Sequence, residues 1–287
     1  MAISASDVKA LRDQTGAGMM NCKNALKDAE GDLERAVEVL RERGLAKAGK
    51  RAGRATSEGA VAVAIEGGRA GIVELGCETD FVAKTDEFQQ LASAIAAAVA
   101  EGGLRDVDAA LAAPFEGGSV ADKIQATIAK VGENIELKRV DAVEVEGVAG
   151  GYVHMGGKLG VIVGLATDKP GGALAQLARD LSMHVAAHDP TPIAIDRDAV
   201  PEETVASEER ILRSQAEQSG KPPEVIEKMV AGRIHKFLKE VCLLDQGFVK
   251  DPEVSVGELV ERAAADTGGD LRVERFVRFK LGEAGSG

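Results

Sequence analysis

The sequence predicts an α+β fold, and three observations predict it. Apolar residues recur at helical spacing up to about residue 45, alternate with period two from residue 59, and return to helical spacing after Pro190 and Pro192. A short pattern occurs twice: Gly67-Gly68-Arg69-Ala70-Gly71 matches Gly156-Gly157-Lys158-Leu159-Gly160, and Thr79-Asp80 is echoed by Thr167-Asp168. The offsets are 89 and 88 residues, which reads as an internal duplication of a hairpin-plus-helix unit. The length, 287 residues, is also long for one compact domain and suggests two or three.

The first 45 residues read as three short helices. Ser4-Ala5-Ser6-Asp7 offers a capping box ahead of Val8 and Leu11. Gly16 and Gly18 break the chain, after which Met19, Cys22, Leu26 and Ala29 recur at helical spacing. Gly31-Asp32 opens a third helix through Leu33, Ala36, Val37 and Leu40, and Gly44 is expected to end it. Residues 46–58 then carry Lys47, Lys50, Arg51 and Arg54 among Ala and Gly with no apolar period. Two readings stay open for this linker: a solvated tether, or a basic contact with an acidic partner or RNA.

The first hairpin is expected from Val61, Val63 and Ile65, with a turn at Gly67-Gly68 and a return through Val73 and Leu75. A loop from Gly76 to Thr85 leads to an alanine-rich helix through Leu91, Ile95 and Val99. Residues 124–135 read as helix and 137–145 as a strand. The second hairpin runs through Tyr152–Met155, turns at Gly156-Gly157 and returns through Val161-Ile162-Val163. Its helix carries Leu174, Leu177, Leu181 and Val185.

Next comes an αα-hairpin. Its first arm has a weak, largely polar seam at Val205, Glu208, Leu212, Gln215 and Ser219, and spans roughly 19 residues, about 28 Å at the α-helical rise. Gly220-Lys221-Pro222-Pro223 is a sharp stop, and Ile226, Met229, Val230, Ile234, Phe237, Val241 and Leu244 form a stronger second stripe. Leu271, Val273, Val277, Phe279 and Leu281 alternate as a closing strand.

Composition narrows the function. The net charge of -12 is uneven: residues 1–54 carry 11 Lys+Arg against 8 Asp+Glu, and the remainder 24 against 39. An acidic body argues against nucleic acid as the main partner. Three cysteines far apart, Cys22, Cys77 and Cys242, indicate a reducing compartment with neither a disulfide framework nor a zinc site. The longest apolar run, Leu91–Ala100, is too short for a membrane span. The start, MAISASDV, has no signal-peptide pattern, so a cytoplasmic location is expected.

No phosphate-cradling GxxxxGK[ST], HExxH, GxSxG or dinucleotide fingerprint is present, so neither an active site nor direct nucleotide binding is expected. His184 and His188 stand at i, i+4, a spacing open to metal ligation or to packing, and no third ligand is evident. Cys77 beside Glu78 and Asp80 is a poor nucleophile, since acidic neighbours raise a thiol pKa. The run Cys77–Phe88 stands out because it places Asp80 next to Phe81 just after a strand. Either Thr79 or Asp80 caps a helix and Phe81 folds inward, or Phe81 stays out as an apolar wedge that a partner buries.

Gly76–Phe88 resembles the signature loop of the elongation factor Ts family. Further blocks are similar in the same order: Thr15–Lys23, Val131-Gly132-Glu133-Asn134-Ile135, Tyr152–Leu165, Met183–His188, Ser219-Gly220-Lys221-Pro222, and Glu227–Val230 through Phe248–Pro252. The resemblance implies a ubiquitin-associated-like N-terminal bundle with the basic linker (1–54), a duplicated α+β core (55–147, then 148–199 with 241–287) and an antiparallel coiled-coil hairpin inserted at 200–240.

It further implies a nucleotide exchange factor without cofactor, metal or catalytic residues, whose partner is elongation factor Tu. Asp80, Phe81, Val82 and Ala83 would dislodge Mg²⁺ from that partner. Thr79, Lys84, His154, Met155 and Gly156 would contact it, and so would Val8, Gly18, Met19 and Met20 from the N-terminal bundle. His154 has a second reading, a strand histidine satisfied locally. Gly76 departs from the family's usual Asn, so a more flexible loop entry is expected. Monomer, homodimer and 2:2 complex all stay open.

Overall fold

The computed structural model describes residues 3–15, 19–49 and 53–283. Gly16, Gly18, Lys50 and Arg51 lie outside them. Three helices come first: α1 (Ala5–Thr15), α2 (Met19–Asp28) and α3 (Leu33–Gly49). A reciprocal cap opens α1, with the Asp7 amide donating to Ser4 Oγ and the Ser4 amide to the Asp7 carboxylate, each at 3.1 Å. Leu11, Cys22, Ala25, Leu26 and Ala36 close a small core among them. α3 runs past Gly44, the expected stop, because one interior glycine costs a helix only about 1 kcal/mol.

The central part is mixed helix and sheet, as the α+β class requires. β1 (Glu58–Glu66) and β2 (Arg69–Cys77) form the first hairpin, followed by the single turn α4 (Asp80–Ala83), α5 (Asp86–Gly102) and α6 (Val107–Ala112). A small hairpin, β3 (Pro114–Phe115) and β4 (Gly118–Ser119), leads to α7 (Val120–Val131) and β5 (Ile135–Glu144). The capping box of Ser119 and Asp122 starts α7 at Val120, earlier than its apolar spacing suggests. β6 (Gly147–His154), β7 (Leu159–Thr167) and α8 (Gly172–Ala187) follow.

α9 (Glu202–Glu217) and α10 (Pro223–Val241) form an antiparallel pair with Ala216, Ile226 and Val230 buried in its seam. α9 has 16 residues, shorter than the arm expected, because Pro201 delays its start and Gly220 ends the turn beyond it. A 3₁₀ turn (Leu243–Asp245), β8 (Gly247–Phe248), β9 (Asp251–Ser255), α11 (Val256–Thr267) and β10 (Leu271–Lys280) complete the order.

The two larger sheets have orders β1-β2-β5 and β10-β7-β6, antiparallel throughout. α5 covers the outer face of the first, burying Phe88, Leu91 and Ile95, and α8 covers the second with Leu174, Leu181 and Val185. The inner faces meet at a shared core of Val61, Ile72 and Val143 from one sheet and Ala149, Ile162, Val277 and Phe279 from the other. The hairpin turns interlock reciprocally: the Val61 amide donates to the Gly157 carbonyl (2.6 Å) and the Ala149 amide to the Gly67 carbonyl (2.8 Å). A buried carboxylate, Glu74 on β2, binds the Arg139 guanidinium on β5 and the Gly282 amide just beyond β10 (3.1 Å). No helix among the described residues is long and apolar enough to cross a membrane.

The loop expected over Gly76–Thr85 is replaced in part by the end of β2 and by α4. β2 continues through Gly76 to Cys77, with Gly76 paired to Gly59 on one side and Glu136 on the other. A Cβ at Gly76 would press on Lys138 and Thr56. The expectation of a looser entry is therefore overturned, because this glycine sits inside a three-stranded ladder under two side chains.

Candidate functional site

β2 delivers the chain to Thr79, whose extended backbone makes it the N-cap of α4. Its hydroxyl accepts from the Val82 amide (3.4 Å) and donates to Glu133 Oε1 (2.7 Å), while the Thr79 amide donates to Glu133 Oε2 (3.0 Å). The neighbouring Glu78 carboxylate accepts from the Asn134 amide (2.7 Å), and Asn134 Nδ2 donates to the Arg54 carbonyl (2.9 Å). On the far side of the turn, Gln89 Nε2 donates to the Ala83 carbonyl (2.6 Å) and Thr85 Oγ1 to the Val82 carbonyl (2.8 Å). α4 is thus clamped at both ends.

Within α4, Val82 and Ala83, two of the four residues expected to act on the partner, are buried in the core with Phe88. Phe81 points the other way and is 81% exposed. Of the two readings of this segment, Thr79 does cap the helix, yet Phe81 stays out. Asp80 faces Lys84 one turn on, with Lys84 Nζ 2.6 Å from its carboxylate. That hydrogen bond holds the Asp80 carboxyl below its usual range and raises Lys84 correspondingly.

The second hairpin reaches the same end of the molecule. Glu58, paired in register with Cys77, forms an ion pair with Lys158 (2.7 Å) in the β6–β7 turn. That turn presents Met155, 70% exposed and held in the left-handed region at φ 54, with Gly156 beside it. A non-glycine residue there costs about 1–2 kcal/mol, strain of the kind found at functional sites. His154 is exposed; its Nδ1 lies 2.9 Å from the Tyr152 hydroxyl and the two rings stack. The local-satisfaction reading of His154 is therefore met on one nitrogen, with the ring still accessible.

Among the N-terminal residues, Met19 and Met20 are 59% and 64% exposed on α2. Val8 is only 8% exposed, packed with Leu11 and Leu26 in the bundle core. Gly18 lies outside the described residues.

Other sequence candidates resolve into structure. Cys77 is buried and its thiol is pushed up to about 11 by burial, with the Glu133 carboxylate adding to the effect. His184 is buried, its Nδ1 accepting from the Val249 amide (3.1 Å). Nε2 therefore carries the proton and donates to Gln246 Oε1 at 3.0 Å. With both nitrogens engaged, its relation to His188 is one of ring packing, at 4.9 Å between centroids. Arg54 of the basic linker is turned onto Glu78 at 3.4 Å.

Sequence reasoning gave no role to Glu133, Gln89 or Lys158, which lie around the exposed turn. Glu133 is 54 positions from Thr79, and no local pattern announces that contact.

Comparison with known proteins adds the family. The profile described as "Elongation factor TS" matches residues 78–283. The chain is 47% identical to "Elongation factor Ts" of Thioalkalivibrio sulfidiphilus, over 99% of this chain and 93% of that protein. It is 45% identical to "Elongation factor Ts" of Prosthecochloris aestuarii, over 98% and 99%. It is 43% identical to that of Nitratiruptor sp., over 99% and 94%. The chain belongs to the elongation factor Ts family.

Proposed function

We propose that this chain is a guanine nucleotide exchange factor of translation elongation, which binds GDP-loaded elongation factor Tu in the cytoplasm, displaces Mg²⁺ there and speeds GDP release. One observation carries the reading: Phe81, a large apolar side chain, stands in solvent on a helical turn tied down on both sides. Exposure of that kind is unfavourable until a partner buries the ring. Family membership supports the partner and the exchange role.

The mechanism is a wedge. Mg²⁺ bridges the nucleotide's phosphates to protein oxygens and neutralises their charge. Driving Phe81 into the GTPase domain shifts the elements that hold the ion, and Asp80 competes for it electrostatically. Docking by Met155, His154 and the N-terminal methionines offsets the cost of that distortion. The coupling is reciprocal: the factor loosens GDP as far as GDP loosens the factor. Neither phosphate chemistry nor a nucleotide pocket is required of this chain.

The finer architecture belongs to the same reading: α1–α3 as a ubiquitin-associated-like bundle with the linker, the two sheet-and-helix halves as a duplicated core, and α9–α10 as an inserted coiled-coil hairpin. The rival, an RNA- or ribosome-associated module using the basic linker, is weakened by Arg54's engagement with Glu78.

Release of fluorescent GDP from elongation factor Tu, followed by stopped flow with and without this protein, tests the proposal. Acceleration is expected; an unchanged rate at saturating protein would sink it. Salt separates the rival, since phosphate-driven binding falls steeply with ionic strength and a wedge interface falls less.

A further inference from the structure

We propose that Glu133 is a positioning residue for exchange, a brace whose carboxylate keeps α4 stiff so that contact at Phe81 distorts the partner and not this protein's own turn. The inference rests on the wedge reading above and names what makes a wedge effective. α4 has four residues, too few to hold its shape by internal hydrogen bonds. Its N-terminal end depends on Thr79, and Glu133 takes both the Thr79 amide and the Thr79 hydroxyl, one on each carboxylate oxygen. A carboxylate accepting two such bonds is held in one orientation, and charge-assisted bonds are roughly twice as strong as neutral ones.

The clamp has a second strand. Glu78, next to Thr79, returns the favour by accepting the amide of Asn134, next to Glu133. Two adjacent residues on each segment are thereby cross-linked between the end of β2 and the α7–β5 turn. Behind this, Val82 and Ala83 rest on the core, and Gln89 holds the last carbonyl of α4. Phe81 is left as the most exposed side chain of the turn, on a fixed base. Glu133 itself is partly buried, with its carboxylate turned onto Thr79.

Stiffness has a thermodynamic signature distinct from contact. A contact residue, when lost, weakens binding to every state of the partner. A brace, when lost, lets the wedge yield, so the GDP-bound partner binds as well as before while the coupling between factor and nucleotide shrinks. The test uses the full chain with Glu133→Ala and Glu133→Gln, and Phe81→Ala as reference, against elongation factor Tu. Three quantities are measured: the maximal GDP release rate at saturating factor, the ratio of Kd for GDP-bound to nucleotide-free partner, and hydrogen exchange at the Thr79 and Val82 amides of the free protein.

For Glu133→Ala, the maximal rate and the Kd ratio should each fall about tenfold, with the Kd for GDP-bound partner little changed. Glu133→Gln should fall between, because its amide keeps one acceptor, and it carries the test if the alanine variant does not fold. Exchange at Thr79 and Val82 should quicken about tenfold. A rate and ratio within about twofold of wild type overturn the proposal, and so does equal weakening of both partner forms. Should Phe81→Ala leave release unchanged, the wedge reading fails by itself. The amide exchange then still decides whether Glu133 braces α4, and unaltered exchange overturns that too.

Discussion

A phenylalanine in water at the tip of a clamped turn sets the first expectation. Burying one such ring contributes roughly 1.5–3 kcal/mol, and about 1.4 kcal/mol is a tenfold change in rate or affinity. Phe81→Ala should therefore slow catalysed GDP release about tenfold or more in the stopped-flow assay, while the free protein melts as before, since nothing in its own core is lost. Asp80→Ala should cost less, because Lys84 already holds that carboxylate, and its effect should shrink when a chelator removes Mg²⁺. An Asp80 effect of equal size with and without the ion would separate Asp80 from metal displacement.

His184 gives a residue-scale expectation of another kind. Burial lowers its pKa below 6.5, against the hydrogen bond to Gln246 and with the help of nearby His188. The unfolded chain thus binds the proton more readily than the folded one. The stability this contributes is fully present above pH 6.5 and is lost as pH falls from there through the depressed value. Melts recorded between about pH 5 and 8 should show that slope, and His184→Leu should flatten it while costing about 1–3 kcal/mol near neutrality for the unpaired groups left behind.

At the scale of elements, the sequence was legible where period and punctuation agreed. The hairpins at Gly67-Gly68 and at Gly156-Gly157 fall where alternation meets glycine, and the closing strand β10 follows its own alternation from Leu271. α11 went unread, although Ser255 and Glu258 form a capping box, because its apolar stripe of Val256 and Val260 is brief and Ala-rich beyond. The turn carrying Phe81 was read as a loop, since four residues give no period, and its direction depends on contacts with Glu133 and Gln89 that only folding creates.

The repeat was seen through its turn glycines, but one role is not shared by the matching positions. Gly71 on β2 admits α5, where a Cβ would overlap the Ala96 carbonyl and the Ala100 amide. The equivalent approach of α8 is made over Gly150 on β6, at Ala178 and Arg179, while Gly160, the sequence match of Gly71, faces Val61 across the sheets. Gly71→Ala and Gly150→Ala should each destabilise by about 1–3 kcal/mol, as overpacking does, measured by urea unfolding. Gly160→Ala should instead strain the contact between sheets.

For the whole molecule, the distribution of cores determines what unfolds with what. The shared core of Val61, Ile72 and Ile162 draws on both sheets, and Glu74 ties the first sheet to the chain beyond β10. The two halves should therefore lose structure together, and Ile162→Ala should lower one unsplit transition by about 2–5 kcal/mol. Among the described residues, the apolar core of α1–α3 draws on the bundle and the residue just before α1, while α3 also packs beside α7. A bundle of that length is marginal by itself. Leu26→Ala, at about 2–5 kcal/mol, should exceed what it can lose. Calorimetry of this variant should show the larger transition unmoved and a smaller, earlier one abolished. Because Met19 and Met20 ride on that bundle while Phe81 does not, the same variant separates docking from wedging. Its Kd for the GDP-bound partner should rise, and its release rate at saturation should stay near wild type. A fall in the saturated rate instead would mean that the bundle helps to distort the partner, and that docking and wedging cannot be assigned to separate parts of the chain.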